Sequence, residues 1–162
     1  MTGVLGMADL LAAADLPDKE RRQVEAIRLS GRHLLAVIND ILDFSRVEAG
    51  GLELERIDFS VPEVLERVRQ LTEPQALERG LGLAFELDEH SPPIVKGDPT
   101  RLKQVLLNLV GNGLKFTREG GVAVAVSSCP EGEGRARFRF EVRDTGIGLT
   151  REQAAGLFQA FA

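Results

Sequence analysis

Two asparagines and a lysine fall in one column of a predicted helix within the stretch from Asp98 to Thr117. Asn108, Asn112 and Lys115 are four and three residues apart, and this spacing places side chains on the same helix face. Asparagine is uncommon on a merely solvated helix face, because its side chain competes with the helix backbone for hydrogen bonds. The column therefore favours a binding function, and the alternative is a half-buried helix with a polar groove.

A glycine loop, Asp144-Thr145-Gly146-Ile147-Gly148, follows a predicted strand and supplies a second candidate site. A strand followed by Asp-x-Gly is by itself typical of a tight turn. A carboxylate at a strand end can also accept a hydrogen bond from an exocyclic amine, and glycines let a ring approach the backbone. Together with the asparagine and lysine column, the loop suggests a nucleotide site with an adenine end and a phosphate end. The site is not of the Walker type, because the chain contains no G-x-x-x-x-G-K-[ST] sequence.

The helix that must carry the column is marked at its start and along one face. Asp98-Pro99 is a helix-start signal, because the aspartate can accept backbone hydrogen bonds and proline loses no needed N–H there. Gly111 and Gly113 each cost about 1 kcal/mol relative to alanine, so we expect something to approach this helix backbone closely. Apolar residues at helical spacing predict a buried face made of Leu102, Val105, Leu106, Leu109, Val110 and Leu114.

The composition indicates a folded, acidic chain that does not bind nucleic acid. The 162 residues are 43% hydrophobic and carry a net charge of −5 without a long basic run, so we expect a packed core and no nucleic-acid partner. The lack of Trp and Tyr also argues against an aromatic platform for bases. Cys129 is the only cysteine, which favours a reducing compartment. No apolar run reaches membrane-spanning length, so we expect no direct membrane contact here.

Residues 1–50 are predicted to form a helical hairpin, with a turn at residues 15–18 and a long second helix over residues 18–47. The second helix carries apolar or small residues alternately three and four apart, which predicts packing against near-parallel helices. These seam residues are Val24, Ile27, Gly31, Leu34, Ile38, Ile41 and Ser45. Leu35 and Leu42 widen the stripe beyond what one hairpin can bury, so we predict a homodimer whose hairpins form a four-helix bundle.

Residues 51–162 are predicted to form an α+β two-layer sandwich, in which helices cover one side of a mixed sheet. Ala49-Gly50-Gly51 marks the domain boundary. The predicted strands cover residues 52–59, 81–87, 94–95, 121–127 and 136–143, and the predicted helices cover residues 61–79, 98–117 and 150–161. Pro74 is expected to kink or divide the helix 61–79. The residues CPEGEG at 129–134 are expected to form a turn.

Four blocks of the sequence resemble the transmitter core of a sensor histidine kinase. LLAVINDILDFSRVEAGGLELE resembles the second helix of that family's dimerisation hairpin and its exit. RLKQVLLNLVGNGLKFT resembles the asparagine box, DTGIG the first glycine box and LFQAFA the phenylalanine box. The blocks are most similar to those of hybrid-type kinases, and the resemblance covers nearly the whole chain. It implies the ATP-binding sandwich shared by histidine kinases, gyrases and chaperones.

The resemblance implies that the asparagine box forms the phosphate end of an ATP site. Asn112 would hold a Mg²⁺ ion that bridges the ATP phosphates, Asn108 would lie one turn before it, and Lys115 would contact phosphate. ATP and Mg²⁺ are therefore the expected cofactors, with Asn112 as the expected metal ligand. Gly113 stands where alanine is commoner in the family.

The resemblance also assigns the adenine end of the site. Asp144 would bind the adenine amino group, Gly146 and Gly148 would shape the pocket, and Phe116 would lie near the base or ribose. The last motif would pack a mobile ATP lid, or simply the core, through Phe158 and Phe161.

Two parts of the family pattern are expected outside the chain. The phosphoacceptor histidine and the acidic residue after it are expected just before Met1, and the second glycine box after Ala162. His33 falls on the second hairpin helix and His90 in a loop, so neither has the matching context. We therefore expect that both ends interrupt a functional motif, that the chain contains no catalytic residue, and that these 162 residues alone do not phosphorylate themselves.

The resemblance implies that the full-length protein uses ATP to phosphorylate its own histidine and passes the phosphoryl group to an aspartate on a response-regulator receiver domain. One alternative is a dimeric nucleotide-binding scaffold that performs no transfer. Another is an ATPase of the same fold, but those enzymes carry a catalytic glutamate where Asn108 stands, and an amide cannot take a proton from water. We expect a cytoplasmic location for this part of the protein, whether or not the full-length protein has a membrane anchor.

Overall fold

The structure is a computed structural model in which residues 2–14, 16–48 and 53–156 are described. The chain divides into two units, Met1–Glu53 and Leu54–Ala162, and each is described by itself. The first unit contains the helices α1 (Thr2–Ala12) and α2 (Asp18–Glu48). The second unit contains β1 (Ile57–Ser60), α3 (Val61–Glu78), β2 (Gly82–Leu87), β3 (Ile94–Gly97), α4 (Pro99–Phe116), β4 (Gly121–Gly132), β5 (Arg135–Asp144) and α5 (Arg151–Gly156).

The helices α1 and α2 pack against each other as an antiparallel hairpin. Leu5 fills the space beside Gly31, where an added Cβ would lie 2.7 Å from Leu5 Cδ2. Further along the pair, the Arg28 guanidinium forms an ion pair with Asp9 at 2.7 Å. The predicted helical hairpin is therefore confirmed, and a glycine in α2 lets α1 approach it closely.

The single hairpin leaves much of its apolar surface exposed. On α2, the exposed side chains include four positions of the predicted seam, namely Ile27, Leu34, Ile38 and Ile41. On α1 they are Val4, Met7, Leu10 and Leu11. Even so, none of the described helices is both long and apolar enough to cross a membrane.

The helices α3 and α4 cover one face of the sheet in the second unit and build the core with it. Ser60 caps α3, since its Oγ accepts a hydrogen bond from the Glu63 N–H at 3.3 Å. The buried residues of the core are Val61, Val64, Leu65, Val68, Ala76, Leu81, Leu106, Val110, Leu114, Val122, Val124 and Val126. Burial of one such valine or leucine side chain contributes about 1.5–3 kcal/mol. Because α3 continues through Pro74, the helix is not divided there.

The described strands form two sheets. β1 pairs with β3 antiparallel, with Ile57 opposite Gly97. The second sheet has the order β2-β4-β5, in which β2 runs parallel to β4 and β5 runs antiparallel to it. The valines of β4 face the helices, and Val142 lies opposite Val124 on the same side. Helices on one face of a mixed sheet confirm the predicted α+β two-layer sandwich.

The strand bounds differ from the predicted ones by more than two residues at two places. β1 begins at Ile57, because the Glu55 N–H donates to Asp98 Oδ2 at 3.1 Å and is not part of a strand ladder. β4 extends to Gly132, so the turn predicted from CPEGEG is wrong over most of its length. The register shift between Pro130 and Gly132 accommodates a proline within the hairpin, and the chain reverses at Glu133 with a positive φ of 48°.

The buried face of α4 is narrower than predicted. Leu106, Val110 and Leu114 are fully buried, whereas Val105 and Leu109 are 54% and 47% exposed. The prediction for these two positions is wrong. Spacing alone does not reveal how far around a helix the facing sheet reaches.

Candidate functional site

The helix α4 starts at a cap that also holds the chain leading into β1. Asp98 Oδ1 accepts a hydrogen bond from the Arg101 N–H at 2.9 Å, and Oδ2 accepts one from the Glu55 N–H at 3.1 Å. These backbone donors, Arg101 first, lower the pKa of the Asp98 carboxyl below its ordinary value. The predicted helix start is thus present, and it fixes the first turn of the helix that carries the polar column.

The polar column of α4 faces solvent. Asn108, Asn112 and Lys115 are all exposed, while the opposite side of the helix is buried in the core. Phe116, at the end of the helix, is half exposed, and Lys115 Nζ lies 5.2 Å from the centroid of its ring. That distance allows a cation–π contact. A ligand can therefore reach amide, ammonium and aromatic groups on one side of one helix.

Gly113 brings α4 against the end of β5. A Cβ at this residue would lie 3.0 Å from Val122 Cγ2 and 3.4 Å from Asp144 Cβ. Asn112 directly precedes Gly113, so the backbone at the middle of the column lies close to Asp144. The close approach expected at the helix glycines is found at Gly113, whereas an added Cβ at Gly111 would meet nothing within 4 Å.

Gly146 forms a second contact between the glycine loop and α4. An added Cβ there would lie 2.7 Å from the Phe116 carbonyl oxygen and 2.8 Å from Asp144 Oδ1. The Gly146 N–H donates to Asp144 Oδ1 at 2.9 Å. The other carboxylate oxygen has no hydrogen-bond partner among the described residues. Asp144 thus uses one oxygen to shape the loop, while its second oxygen accepts no hydrogen bond from the described residues.

The remainder of the glycine loop is open to solvent. Gly148 has a φ of +67°, a conformation that glycine adopts readily, and Ile147 is 77% exposed. α5 follows behind a reciprocal cap, in which the Gln153 N–H donates to Thr150 Oγ1 and the Thr150 N–H donates to Gln153 Oε1. The predicted lid residues Phe158 and Phe161 lie outside the described residues.

Comparisons with known proteins identify both units. Residues 1–50 match the His Kinase A (phospho-acceptor) domain, and residues 97–162 match the histidine kinase-, DNA gyrase B- and HSP90-like ATPase family. Hybrid signal transduction histidine kinase B of Dictyostelium discoideum is 37% identical over 100% of the chain, which covers 8% of that protein. The sensor protein GacS of Pseudomonas syringae is 39% identical over 100% of the chain, which covers 18% of that protein.

The chain belongs to the sensor histidine kinase family.

A solved structure supports the same assignment over both units of this histidine kinase chain. Full-length ShkA in complex with AMPPNP superimposes with a TM-score of 0.74 at 40% sequence identity, covering 93% of the chain and 31% of ShkA. The transmitter core predicted from four sequence blocks is therefore confirmed. The chain spans less than a quarter of the length of these curated kinases, at 8% and 18%.

Thr145 is a residue of the kinase glycine loop that sequence reasoning left without a function. Its Oγ1 donates to the Glu119 carbonyl at 2.9 Å and accepts from the Gly121 N–H at 3.0 Å. Glu119 lies in the turn between α4 and β4, and Gly121 is the first residue of β4, so both partners are more than twenty residues earlier. No local pattern in the sequence could have revealed them.

The last turn of α4, the helix of the asparagine box, is held by a hydrogen bond from outside the helix that the sequence did not suggest. The Arg79 guanidinium, just after α3, donates to the Leu114 carbonyl in the last turn of α4. The Thr117 N–H donates to the Gly113 carbonyl at 3.0 Å and completes the C-terminal cap. Cationic donors are favourable at a helix C-terminus, where carbonyl groups lack partners. Arg79 therefore helps to hold the end of the helix that bears Lys115.

The donor chemistry around Asn112 fits a Mg²⁺ ion that a nucleotide brings with it. Among the described residues, no group of three or more His, Cys, Asp or Glu side chains could hold a metal ion. Asn112 offers an exposed amide oxygen, and Mg²⁺ prefers oxygen ligands. Mg²⁺ commonly keeps several waters and binds substrate phosphates, so a site with few protein oxygen ligands is compatible with a Mg²⁺ ion that arrives with a nucleotide.

Proposed function

We propose that the full-length protein is an ATP-dependent histidine kinase that phosphorylates one of its own histidines and passes the phosphoryl group to an aspartate on a response-regulator receiver domain. Family membership and the order of the two domains support this activity. The observation that carries the proposal is the contact between α4 and the end of β5, where Gly113 meets Asp144 and Gly146 meets the Phe116 carbonyl. This contact joins the asparagine box and the glycine box into one nucleotide site.

The adenine end of the proposed site is formed by the glycine loop. Asp144 Oδ2 accepts a hydrogen bond from the exocyclic amine of adenine, while Oδ1 stays bound to the Gly146 N–H. Gly146 leaves room for the loop to lie against α4, and Gly148 leaves its surroundings open for a ring. The half-exposed ring of Phe116 lies near the base or the ribose.

The phosphate end of the proposed site is the polar column of α4. Lys115 contacts a phosphate as an exposed ammonium group, and Asn112 holds the metal ion through its amide oxygen. Asn108 lies one turn earlier on the same side of the site. When bound, Mg²⁺ supplies positive charge that offsets the charge of the phosphates. The chain itself contributes position and electrostatic complementarity, which is most of what an enzyme supplies to phosphoryl transfer.

Residues 1–50 serve as the dimerisation and phosphoacceptor hairpin, and residues 51–162 as the ATP-binding domain. Support for a homodimer comes from the seam of α2, where Ile27, Leu34, Ile38 and Ile41 are exposed in a single chain. A second hairpin would cover these side chains in a four-helix bundle, and burial of each one would stabilise the dimer by about 1.5–3 kcal/mol.

These 162 residues alone do not carry out the transfer. The two histidines of the chain are His33 on α2 and His90 in the loop after β2, where its Nδ1 lies 3.1 Å from Asp88 Oδ1. Incubation with labelled ATP should leave no acid-labile, base-stable phosphate on the chain, and phosphopeptide mapping of the longer kinase should place the label elsewhere than on His33. A label on His33 would contradict this account of the phosphoacceptor.

The alternative functions receive less support from the site. An ATPase of the gyrase or chaperone kind needs a carboxylate base one turn before the metal asparagine, and Asn108 occupies that position. A nucleotide-binding scaffold that performs no transfer is compatible with the 162-residue chain by itself. It receives less support for the full-length protein, because relatives of the chain are named histidine kinases. In this proposal the partners are a second copy of the chain and the receiver domain of a response regulator, and nucleic acid is not a partner. The domain works in the cytoplasm without membrane contact.

Substitution of Asp144 by asparagine tests the adenine assignment. The amide has nearly the same shape, but its NH₂ group is a donor where the carboxylate only accepts. A donor that faces the adenine amine cannot form the hydrogen bond that the carboxylate forms. We expect ADP and ATP affinity in the presence of Mg²⁺ to fall about tenfold or more, as measured by calorimetry. Asp58→Asn, an exposed change on β1, is the matched control and should bind as the wild type does. Unchanged binding by Asp144→Asn would show that the adenine assignment is wrong.

A further inference from the structure

The side chain of Thr145 is directed to the turn between α4 and β4. Thr145 Oγ1 donates to the Glu119 carbonyl at 2.9 Å and accepts from the Gly121 N–H at 3.0 Å. The Thr145 N–H donates to the Gly121 carbonyl at 3.1 Å. The hydroxyl also lies 3.4 Å from the Gly121 carbonyl. One residue of the glycine loop is therefore hydrogen-bonded both to the turn at Glu119 and to Gly121, the first residue of β4, and its hydroxyl acts as both donor and acceptor.

The turn is shaped to receive this hydroxyl. Gly120 has a φ of +95°, and a Cβ at this position would overlap Thr145 Oγ1. On its other side, the Gly120 carbonyl accepts a hydrogen bond from the Gly82 N–H at 2.8 Å. An added Cβ at Gly121 would overlap the carbonyl of Gly82. The turn is thus hydrogen-bonded to the first residue of β2, which restrains the position of the backbone that Thr145 contacts.

Thr145 stands between the two loop residues that contact α4. Asp144 meets Gly113, and Gly146 lies against the Phe116 carbonyl. Because a peptide has only two soft dihedral angles per residue, the hydrogen bonds of Thr145 restrict the backbone of both neighbours. Without the hydroxyl, the loop keeps its Thr145 N–H bond and the bond from the Gly146 N–H to Asp144, and it gains freedom to shift at the carboxylate.

We infer that Thr145 is a positioning residue of the nucleotide site, whose hydroxyl holds the loop so that Asp144 Oδ2 meets the exocyclic amine of adenine. Thr145 acts through Asp144 and Gly146, because its hydroxyl bonds go to Glu119 in the turn after α4 and to Gly121 at the start of β4. The inference rests on the proposed nucleotide site and adds a determinant of base selectivity to it.

The test compares two nucleotides that differ at the exocyclic group. ADP carries the amine, and inosine diphosphate carries an oxygen in its place. Calorimetry with Mg²⁺ on Thr145→Val, which keeps the side-chain shape, should show about five- to tenfold weaker binding of ADP and inosine diphosphate binding within about twofold of wild type. Thr145→Ser keeps the hydroxyl and should restore the preference for ADP. Thr72→Val removes a hydroxyl that bonds to the Val68 carbonyl at 2.8 Å within α3, and it should keep the preference.

Amide hydrogen exchange provides a second measurement that does not use nucleotide. In Thr145→Val, the Gly121 and Gly146 amides should exchange faster, since one loses its acceptor and the other its fixed geometry. Thr145→Ala, which also lacks the hydroxyl but is smaller, replaces Thr145→Val if that variant does not fold. Unfolding of both variants would show that the hydroxyl is needed for the stability of the whole domain and does not act specifically on the site. That result would overturn the inference.

The outcomes separate this inference from the proposed function. If the wild type binds ADP no better than inosine diphosphate, or binds neither, the adenine assignment fails and the inference fails with it. If the wild type prefers ADP and Thr145→Val keeps the same preference, the proposed function stands and the positioning function of Thr145 is refuted. Loss of the preference in Thr145→Val with recovery in Thr145→Ser supports the inference.

Discussion

Replacement of Gly146 by alanine should damage the candidate site, because the new methyl group has no room. An added Cβ would lie 2.7 Å from the Phe116 carbonyl oxygen, 3.0 Å from the Phe116 carbonyl carbon and 2.8 Å from Asp144 Oδ1. Non-bonded heavy atoms prefer separations of about 3.5–4.0 Å, so the loop or the end of α4 must move by roughly half an ångström or more. Neither neighbour moves easily, since one is helix backbone and the other accepts the Gly146 N–H.

The expected cost follows from this overlap. Overpacking of a well-ordered contact lowers the free energy of unfolding by about 1–3 kcal/mol. In a domain of about one hundred residues, each kcal/mol lowers the melting temperature by roughly 4 °C or more. The displaced Asp144 carboxylate should also weaken ADP binding by about tenfold, which corresponds to about 1.4 kcal/mol.

A second glycine of the same site gives the matched control. Gly111 lies within α4, and an added Cβ there would meet nothing within 4 Å. Gly111→Ala should therefore raise the free energy of unfolding by about 0.5–1 kcal/mol through helix propensity alone, and leave ADP binding unchanged. Thermal unfolding followed by circular dichroism, with calorimetry of ADP binding, measures both effects. A Gly146→Ala variant that melts and binds as the wild type does would refute the close contact between the loop and α4.

Two further predictions concern the hairpin and the cap of α4. Ile38→Asp should give monomers or unfolded chains, because an unpaired charge would enter the seam; a wild-type chain that is monomeric at micromolar concentration by light scattering would contradict the dimer. Asp98→Ala should cost about 1 kcal/mol at neutral pH, because the cap is lost. Since the folded state lowers the pKa of Asp98, its stabilisation is present above the ordinary pKa and is lost as the pH falls through the lower folded value. Urea titrations from pH 7 to pH 3 should show a weaker loss of stability in Asp98→Ala, and an equal loss would contradict this assignment.

The sequence was most informative about the helix that carries the candidate site. Asp98 and Pro99 predicted the start of α4, and the structure places the cap and the first helical residue there. The two glycines predicted a close approach to the helix, which occurs at Gly113. Capping and glycine packing act within a few residues or at one point of the backbone, so their signals remain visible in a linear sequence.

Other features depended on contacts that are distant in the sequence. The exposure of Val105 and Leu109 is set by where the facing sheet ends, and the helix pattern does not contain that information. The hydrogen bonds of Thr145 join the glycine loop to Glu119 and to Gly121 at the start of β4, so neither segment predicts them alone. The extension of β4 through Pro130 was missed because prolines and glycines usually mark turns, whereas here a bulge keeps the hairpin paired.

The parallel pairing of β2 with β4 has a consequence for the order in which the domain can fold. Gly82 pairs with Gly121, and β3 and α4 lie between these residues in the sequence. Formation of this ladder therefore closes a long loop. Non-local pairing of this kind is slow, and β5, with Asp144 at its end, attaches to β4 on the far side. We therefore expect the candidate site to come together late in folding, and a nucleotide that binds only the assembled site would stabilise the least local part of the domain.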